Sequence, residues 1–465
     1  MTFQDSLRRL GRLQHPSRHS DNAFDGIGDR PIEAERAYRE RIAEMDRNGG
    51  SELELLPILH DLAKFYIREG KIKEAESALN RGLASPGGDA SVEIWRAAFL
   101  QTFGDLQFGH GDYVGAEARY RAAFAIKASL LGEANADTVN TMNGLGVALM
   151  EQAKYAEAGD ILTKGLAILE KGVDPAASMS FSILVSLGNL ASKQGDRREA
   201  EAYYRRSLRL AESNPGLDPG DLALLLDNLS ALLMEMGRGR EAEELLRRSL
   251  KIQATKAGDL TSATAKSHLA GLLASEGRLT EAEAIMRDVV ALNEMVLGPR
   301  HPTLAITLNN LGRIYAREGK DADAEETLHR AISIKEHSLG RNHPSLAANL
   351  EALATVYLRQ AKYALAEALY IRAVRLVEQS LGDEHPQLAP LLINLAGVYL
   401  ETDRLNSAEH AYQRALSLSS GPGEELYDTE EDALYGLALL SEKQGRLPRA
   451  EGFIAEPWTW PRTTV

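Results

Sequence analysis

The side chains in this sequence whose types and spacing could do chemistry are amides and guanidiniums. Asn309, Asn310, Arg313 and Arg317 fall within nine residues, Arg359 follows Arg317 by 42, and Asn394 follows Asn310 by twice that interval. Asn228 belongs to the same set, one group of repeats earlier. A side-chain amide donates and accepts at once, as a peptide backbone does. A guanidinium captures a carboxylate through two parallel hydrogen bonds. The set could therefore hold a peptide, with acidic segments favoured near Arg313, Arg317 and Arg359. The plainer reading is a solvated helix face on which Asn and Arg are merely soluble.

No other group of reactive side chains makes a catalytic set. The chain has no cysteine, which removes disulfides, thiolate nucleophiles and Cys-ligated zinc and fits a reducing, cytoplasmic setting. It has no Gly-x-Ser-x-Gly, no phosphate-binding loop ending in Gly-Lys-Ser/Thr, and no His-Glu-x-x-His. Gly144-Leu145-Gly146 resembles the opening of a dinucleotide fingerprint, but it lies inside a helical pattern with no strand before it and no third glycine. Close helix packing is expected there instead. His301, His343 and His385 are spaced 42 apart and read as capping and turn residues, and His329 and His337 stand too far apart to share an ion. Neither enzyme activity, nor a metal, nor a cofactor is expected.

The elements that carry these residues repeat. In the stretch from Thr303 to Pro344, Leu304, Leu308, Leu311 and Tyr315 recur at four, three and four residues, along one face of a helix. Gly319 interrupts the pattern. Ala324, Leu328, Ala331 and Ile334 then form the apolar stripe of a second helix, for which Gly340 is placed as a left-handed C-terminal cap. Pro344 suits the first position of the next helix, where a missing N–H costs nothing.

This helical hairpin recurs along the chain. The alanine that opens its second helix returns from Ala34 to Ala450 at steps of 40 to 42 residues. Twelve residues before it, from the second copy on, stands a small residue, among them Gly104, Gly146, Gly188 and Gly312, each preceded by a large apolar one. Four residues after the alanine comes Tyr, Leu, Met or Ile. A glycine inside a helix costs about 1 kcal/mol relative to alanine, so its return at one position implies that a side chain there would strike the neighbouring helix. Gly312→Leu is expected to overpack the hairpin, and Glu318, read as solvent-facing, is expected to tolerate leucine.

Leu311-Gly312-x-x-Tyr315, followed by Ala324, Leu328 and Ala331, resembles the tetratricopeptide repeat, whose usual period is about 34 residues. The longer period, with Leu-Gly-x-x-His-Pro at Leu297 to Pro302, Leu339 to Pro344 and Leu381 to Pro386, resembles the kinesin-light-chain type of that repeat. Asn135-Ala136, Asp174-Pro175 and Asp218-Pro219 depart from that linker, and the one from Gly258 to Ala263 is shorter. The resemblance implies an all-α fold, an α-α superhelix or solenoid of about ten helical hairpins over residues 29–456. It also implies a non-enzymatic protein whose first helices line a concave groove for extended peptides or helices. Asn228, Asn309, Asn310, Arg313, Arg317, Arg359 and Asn394 are expected to face that groove, with Asn228, Asn310 and Asn394 pairing with ligand backbone. Asn140, Asn143, Asn189, Asp227 and Asn349 are expected on the same face. Two uses of the groove stay open: a scaffold or adaptor, or a regulatory sensor that binds a signal peptide and changes shape.

Composition narrows the partners. A chain of 465 residues suggests about three globular domains, but a solenoid grows without one large core. The formal net charge of −14 argues against nucleic acid as the main ligand, and no apolar run reaches the roughly 18 to 20 residues needed to cross a bilayer. Residues 1–28 read as a flexible basic tail, with Arg8, Arg9, Arg12 and Arg18 against Asp5; an organelle transit peptide is the alternative. Residues 29–47 read as a lone helix of the second type that caps the N-terminal end, and Ser51 with Glu54 has the form of a capping box. In residues 457–465, Trp458 and Trp460 are expected to fold back over the exposed apolar end or to form a homodimer contact through it.

Overall fold

The computed structural model describes residues 31–171, 177–254, 261–419 and 424–446, all of whose regular elements are helices. The tails at 1–28 and 457–465, with Trp458 and Trp460, lie outside the described residues, as do Ala450 and Asp174-Pro175. The chain divides into two compact units, Met1–Met236 and Gly237–Val465. The first holds α1 (Pro31–Asn48), α2 (Glu52–Arg68), α3 (Ile72–Leu83), α4 (Ala90–Gly109), α5 (Tyr113–Leu131), α6 (Ala136–Glu151), α7 (Tyr155–Lys171), α8 (Ala177–Lys193), α9 (Arg197–Ser213) and α10 (Pro219–Glu235). The second holds α11 (Gly239–Gln253), α12 (Thr261–Ser275), α13 (Leu279–Leu297), α14 (Pro302–Glu318), α15 (Asp321–Leu339), α16 (Ala347–Arg359), α17 (Tyr363–Leu381), α18 (Leu388–Glu401), α19 (Leu405–Ser419) and α20 (Glu424–Lys443). Within each unit the helices pair as hairpins, α2 with α3 through α8 with α9, and α12 with α13 through α18 with α19. Each second helix packs on the next first helix, and successive first helices also touch, so they stand in a row.

Helix α14 shows why the sequence folds this way. His301 caps its N-terminus by accepting the Thr303 N–H at 3.2 Å, and Pro302 opens the first turn. Leu304, Leu308 and Leu311 are buried along one stripe. Gly319 ends the helix in the left-handed conformation (φ 78°, ψ 12°), and the Lys320 N–H reaches back to the Tyr315 carbonyl at 2.9 Å. His343 and His385 repeat the cap, each accepting a backbone N–H at 3.2 Å. Where the His-Pro linker is lost, Asn135 and Asp218 accept the N–H two residues on in the same way. These two departures in sequence therefore keep the cap.

The packing follows the repeat. The alanines from Ala75 to Ala408 that open the second helices are fully buried. A Cβ built on Gly312 would lie 2.6 Å from Leu328 Cγ, on Gly146 2.6 Å from Leu162 Cγ, and on Gly188 2.4 Å from Tyr204 Cε1. Each contact joins the small position to the residue sixteen later, four past the alanine. Gly144 is a packing position too, since a Cβ there would lie 3.0 Å from Tyr120 of the preceding hairpin. Neighbouring hairpins are further joined by ion pairs from the turn of one to the second helix of the one before: Lys320 to Glu283 at 2.6 Å, Lys362 to Glu325 at 3.2 Å and Arg404 to Glu367 at 2.7 Å. Such exposed pairs contribute about 0–1 kcal/mol each, so they align hairpins that apolar burial holds together.

Three expectations need correction. Gly340 does cap α15, its N–H donating to the Glu336 carbonyl at 3.0 Å, but with φ 87° and ψ 158° it is not in the left-handed helical region. The chain must leave the helix extended to reach the His343 cap, through a conformation open essentially to glycine alone. Ser51 sits at the N-cap of α2 but makes no side-chain cap bond, so no capping box forms. Glu318 is not solvent-facing: its side chain is 8% exposed and meets Lys320 at 2.8 Å.

Gly312→Leu is predicted to destabilise the protein by about 1–3 kcal/mol or more, because Leu328 cannot retreat from a filled core. Glu326→Ala, at an exposed position of α15, is predicted to leave the thermal midpoint within error. Parallel thermal unfolding of the two variants checks the difference.

Candidate functional site

The row of first helices carries most of the candidate residues, and the residue just after the small position shows which of them are free. In three hairpins that residue satisfies a tyrosine hydroxyl from its own second helix. Tyr120 donates to Asp105 at 2.7 Å, Tyr204 donates to Asn189 at 2.6 Å, and Thr355 shares a hydrogen bond of 2.9 Å with Tyr370. These hydroxyls are held off solvent, and burial pushes the Tyr370 phenol up to about 12. In the α14–α15 hairpin Leu328 takes the place of the tyrosine. Arg313, at the facing position, has no hydroxyl to satisfy and stays exposed.

Asn310, Arg313 and Arg317 are spaced three and four apart on one face of α14. Among the described residues none of the three side chains has a hydrogen bond or an ion-pair contact. Arg313 and Arg317 line a cleft of about 250 Å³ with Ala316 of the same helix and Glu351, Ala352, Thr355 and Arg359 of α16. Arg359 is tied to Asp321 at 3.1 Å. Glu351 accepts from Asn394 Nδ2 of α18 at 3.1 Å, and Thr355 donates to the Glu351 carbonyl at 3.0 Å. Burial pushes the Glu351 carboxyl above the usual glutamate range, against the opposing pull of Arg313. Three guanidiniums thus face two carboxylates, Glu351 and Asp321, and the cleft keeps an excess of positive charge.

The seven expected residues are therefore not equivalent. Arg313, Arg317 and Arg359 meet in the cleft, and Asn394 reaches it through Glu351. Asn310 is half-buried without a partner, and Asn309 beside it has a buried Oδ1 without one. Asn228, in the other unit, donates to Asn189 Oδ1 at 3.3 Å. Of the further residues expected on this face, Asn140 is exposed and Asn143 half-buried, but Asn349 (1% exposed) and Asp227 (6%) are core residues. Asn349 falls five residues before the small position, in register with Thr307 and Thr141, on the stripe that faces inward. Sequence reasoning missed Glu351 and Thr355, although Glu351 follows Asn309 and Thr355 follows Arg313 by one period of 42.

Other polar groups are occupied elsewhere. His329 Nε2 hydrogen-bonds the Tyr357 hydroxyl at 2.9 Å. A wider cleft of about 560 Å³ among α1, α2 and α3 is spanned at its rim by the Arg81–Asp46 ion pair at 2.6 Å. Among the described residues no group of three or more His, Cys, Asp or Glu side chains could hold a metal, and no helix is long and apolar enough to cross a membrane.

Known proteins resemble this chain in sequence and in structure. A family model described as tetratricopeptide repeat matches residues 180–255, 261–337, 304–370 and 345–420, together about half of the chain. A TPR repeat-containing protein of Dictyostelium discoideum is 28% identical over 144 residues, 30% of this chain but only 9% of that protein's length. Among solved structures, a putative kinesin light chain of Podosopora anserina with nearly identical TPR-like repeats is 25% identical, covering 44% of this chain and 97% of its own, with a TM-score of 0.38. The apo form of RapI is 16% identical and covers 77% of this chain and 95% of its own, with a TM-score of 0.60. A Rap protein complexed with competence and sporulation factor is 14% identical and covers 86% and 96%, with a TM-score of 0.51. The last two share the fold.

Glu351→Gln keeps an acceptor for Asn394 and removes a charge that burial disfavours. A carboxyl whose folded pKa lies above its unfolded value binds more protons when folded, so its contribution to stability falls as pH rises from the unfolded pKa through the folded one. The variant is predicted to melt higher than wild type at neutral pH, with the gap closing as pH falls below about 4, near the ordinary glutamate pKa. Thermal midpoints across that range check it.

Proposed function

This chain belongs to the tetratricopeptide-repeat family, and we propose that it is a scaffold or adaptor that binds an acidic segment of a partner protein on the first-helix face of its second unit. The family is generally a non-enzymatic protein-interaction fold, and this reading extends that role to the chain. One observation carries it: among the described residues the side chains of Asn310, Arg313 and Arg317 share one helix face without a hydrogen bond or ion pair, in a protein whose net charge is −14 and whose other arginines are widely paired. Removing the two guanidiniums from solvent without a further counter-charge would be costly, and a carboxylate supplied by a partner offsets that cost through charge-assisted, bidentate bonds. The Rap protein of the same fold, solved with competence and sporulation factor, supports a binding role for stacked hairpins of this kind.

The cleft is too small to enclose a partner and large enough to seat one carboxylate side chain. Affinity would therefore be shared between that anchor and backbone contacts along the neighbouring amides. Asn309 and Asn310 would supply those contacts in the second unit, while Arg359 and Asn394, already bonded to Asp321 and Glu351, would position the cleft wall. Asn228 would act separately in the first unit.

The double variant Asn310→Ala with Arg317→Ala is predicted to lose about ten-fold or more in affinity for a partner captured from native extract, the scale of one interface hot spot. Its thermal midpoint should stay at the wild-type value, because neither side chain supports the fold. Undiminished recovery of every captured protein by the folded double variant would place binding elsewhere.

A further inference from the structure

The linkers of the second unit carry apolar side chains that the fold leaves uncovered. Three second helices there end on a leucine at one repeat position, Leu297 in α13, Leu339 in α15 and Leu381 in α17. Leu339 and Leu381 are 43% and 47% exposed. Leu297 is half-buried, but Met295 and Val296 beside it are exposed. Ion pairs hold the three ends side by side, Arg330 to Glu294 at 2.5 Å and Arg372 to Glu336 at 2.6 Å, each glutamate about one turn before its leucine. Packed helices stand about 8–10 Å apart, so the three ends form an apolar rail roughly 20 Å long.

One exposed leucine is ordinary on a protein surface; the charges beside these three select an occupant. The linker after Leu297 carries Arg300, and the linker after Leu381 carries Asp383 and Glu384. These three side chains are exposed and make no ion pair among the described residues. The middle linker carries Arg341, whose charge is shared with Glu336 at 3.7 Å. Turned end for end, the rail therefore sets carboxylates where the unturned rail has a guanidinium, and apolar side chains where it has apolar side chains.

We infer that the rail takes a second copy of this chain, set antiparallel about a two-fold axis at Leu339. Leu339 then meets its own counterpart. The first rung of each copy meets the third rung of the other, with Met295 and Val296 on Leu381 and Arg300 against Asp383 and Glu384. Arg341 comes near the axis with Glu336 beside it, so no unshared like charges are brought together there. An interface of this kind uses one patch twice and closes at two chains. It lies at the N-terminal end of α14, whereas Arg317 stands near the other end, so dimerisation leaves the cleft of each copy open.

Because the sequence has no cysteine, the axis is directly testable in the full-length chain. Under mild oxidation Leu339→Cys alone should cross-link to a covalent dimer, because a residue on the axis meets itself within disulfide reach, with Cα atoms no more than about 7 Å apart. Leu381→Cys alone should not, and should do so once Val296→Cys is added to the same chain. Sedimentation velocity without oxidant reads the charges, and the average mass of the wild type should rise with concentration toward that of two chains. Arg300→Glu should weaken dimerisation about ten-fold, as should Asp383→Lys with Glu384→Lys, and all three changes together should restore it. These positions are exposed, and unchanged thermal midpoints establish that the variants fold. A chain that stays monomeric at every concentration, or one that cross-links from position 381 alone and not from position 339, would overturn the antiparallel rail. So would a dimer indifferent to the charge changes, which would place the interface elsewhere.

Discussion

The contact on which the rest of this structure depends is the approach of a first helix to its own second helix at a position too tight for a larger side chain. At Gly312 the opposing Leu328 lies where a Cβ would need to be, and at Gly188 Tyr204 does the same. Such a contact fixes the rotation of both helices, because turning either by one residue would place a large side chain in the gap. Rotation fixed in one hairpin is passed to the next through the buried alanines and the turn-to-helix ion pairs. The outward face of every first helix is therefore set by a residue that lies on its inner side.

That constraint links packing to chemistry. Where the opposing residue is tyrosine, its hydroxyl needs a partner, and the polar residue beside the small position is taken up by it, as Asp105, Asn189 and Thr355 are. Where the opposing residue is leucine, nothing is demanded, and Arg313 is left for other work. A change from hydroxyl to methyl in the core thus alters the charge available at the surface. The excess of positive charge in the cleft follows from the same local account: Asp321 neutralises Arg359, Glu351 is held high by burial, and Arg317 makes no ion pair among the described residues. An acidic protein can hold a basic site in this way without any basic stretch in its sequence.

The repeat was legible in the sequence because its signals are steric and recur: small residue, alanine and large apolar residue at fixed intervals, each buried as its type requires. The His-Pro linkers were legible as caps for the same reason, whereas Asn135 and Asp218 read only as departures from that linker and yet do the task of His301 with other side chains. What the pattern missed depends on partners beyond the hairpin. Asn349 and Asn310 are both asparagines on first helices, yet one is core and one is half-exposed, because their offsets from the small position differ. Composition does not carry that offset. Asn394 and Arg359 read as free groups until Glu351 and Asp321 are brought beside them by the row of helices. Gly340 read as a cap and is one, but its ψ is set by where the chain must go next.

The central claim is that partner binding belongs to the first-helix face of the second unit. A photo-crosslinking residue placed at exposed Ala348 on α16, and in a separate variant at exposed Glu326 on α15, tests it most directly in native extract. The account predicts a discrete adduct from position 348 that disappears when Arg317 is changed to alanine in the same chain, and none from position 326. An adduct from position 326 alone, or one from position 348 that is indifferent to Arg317, would contradict it.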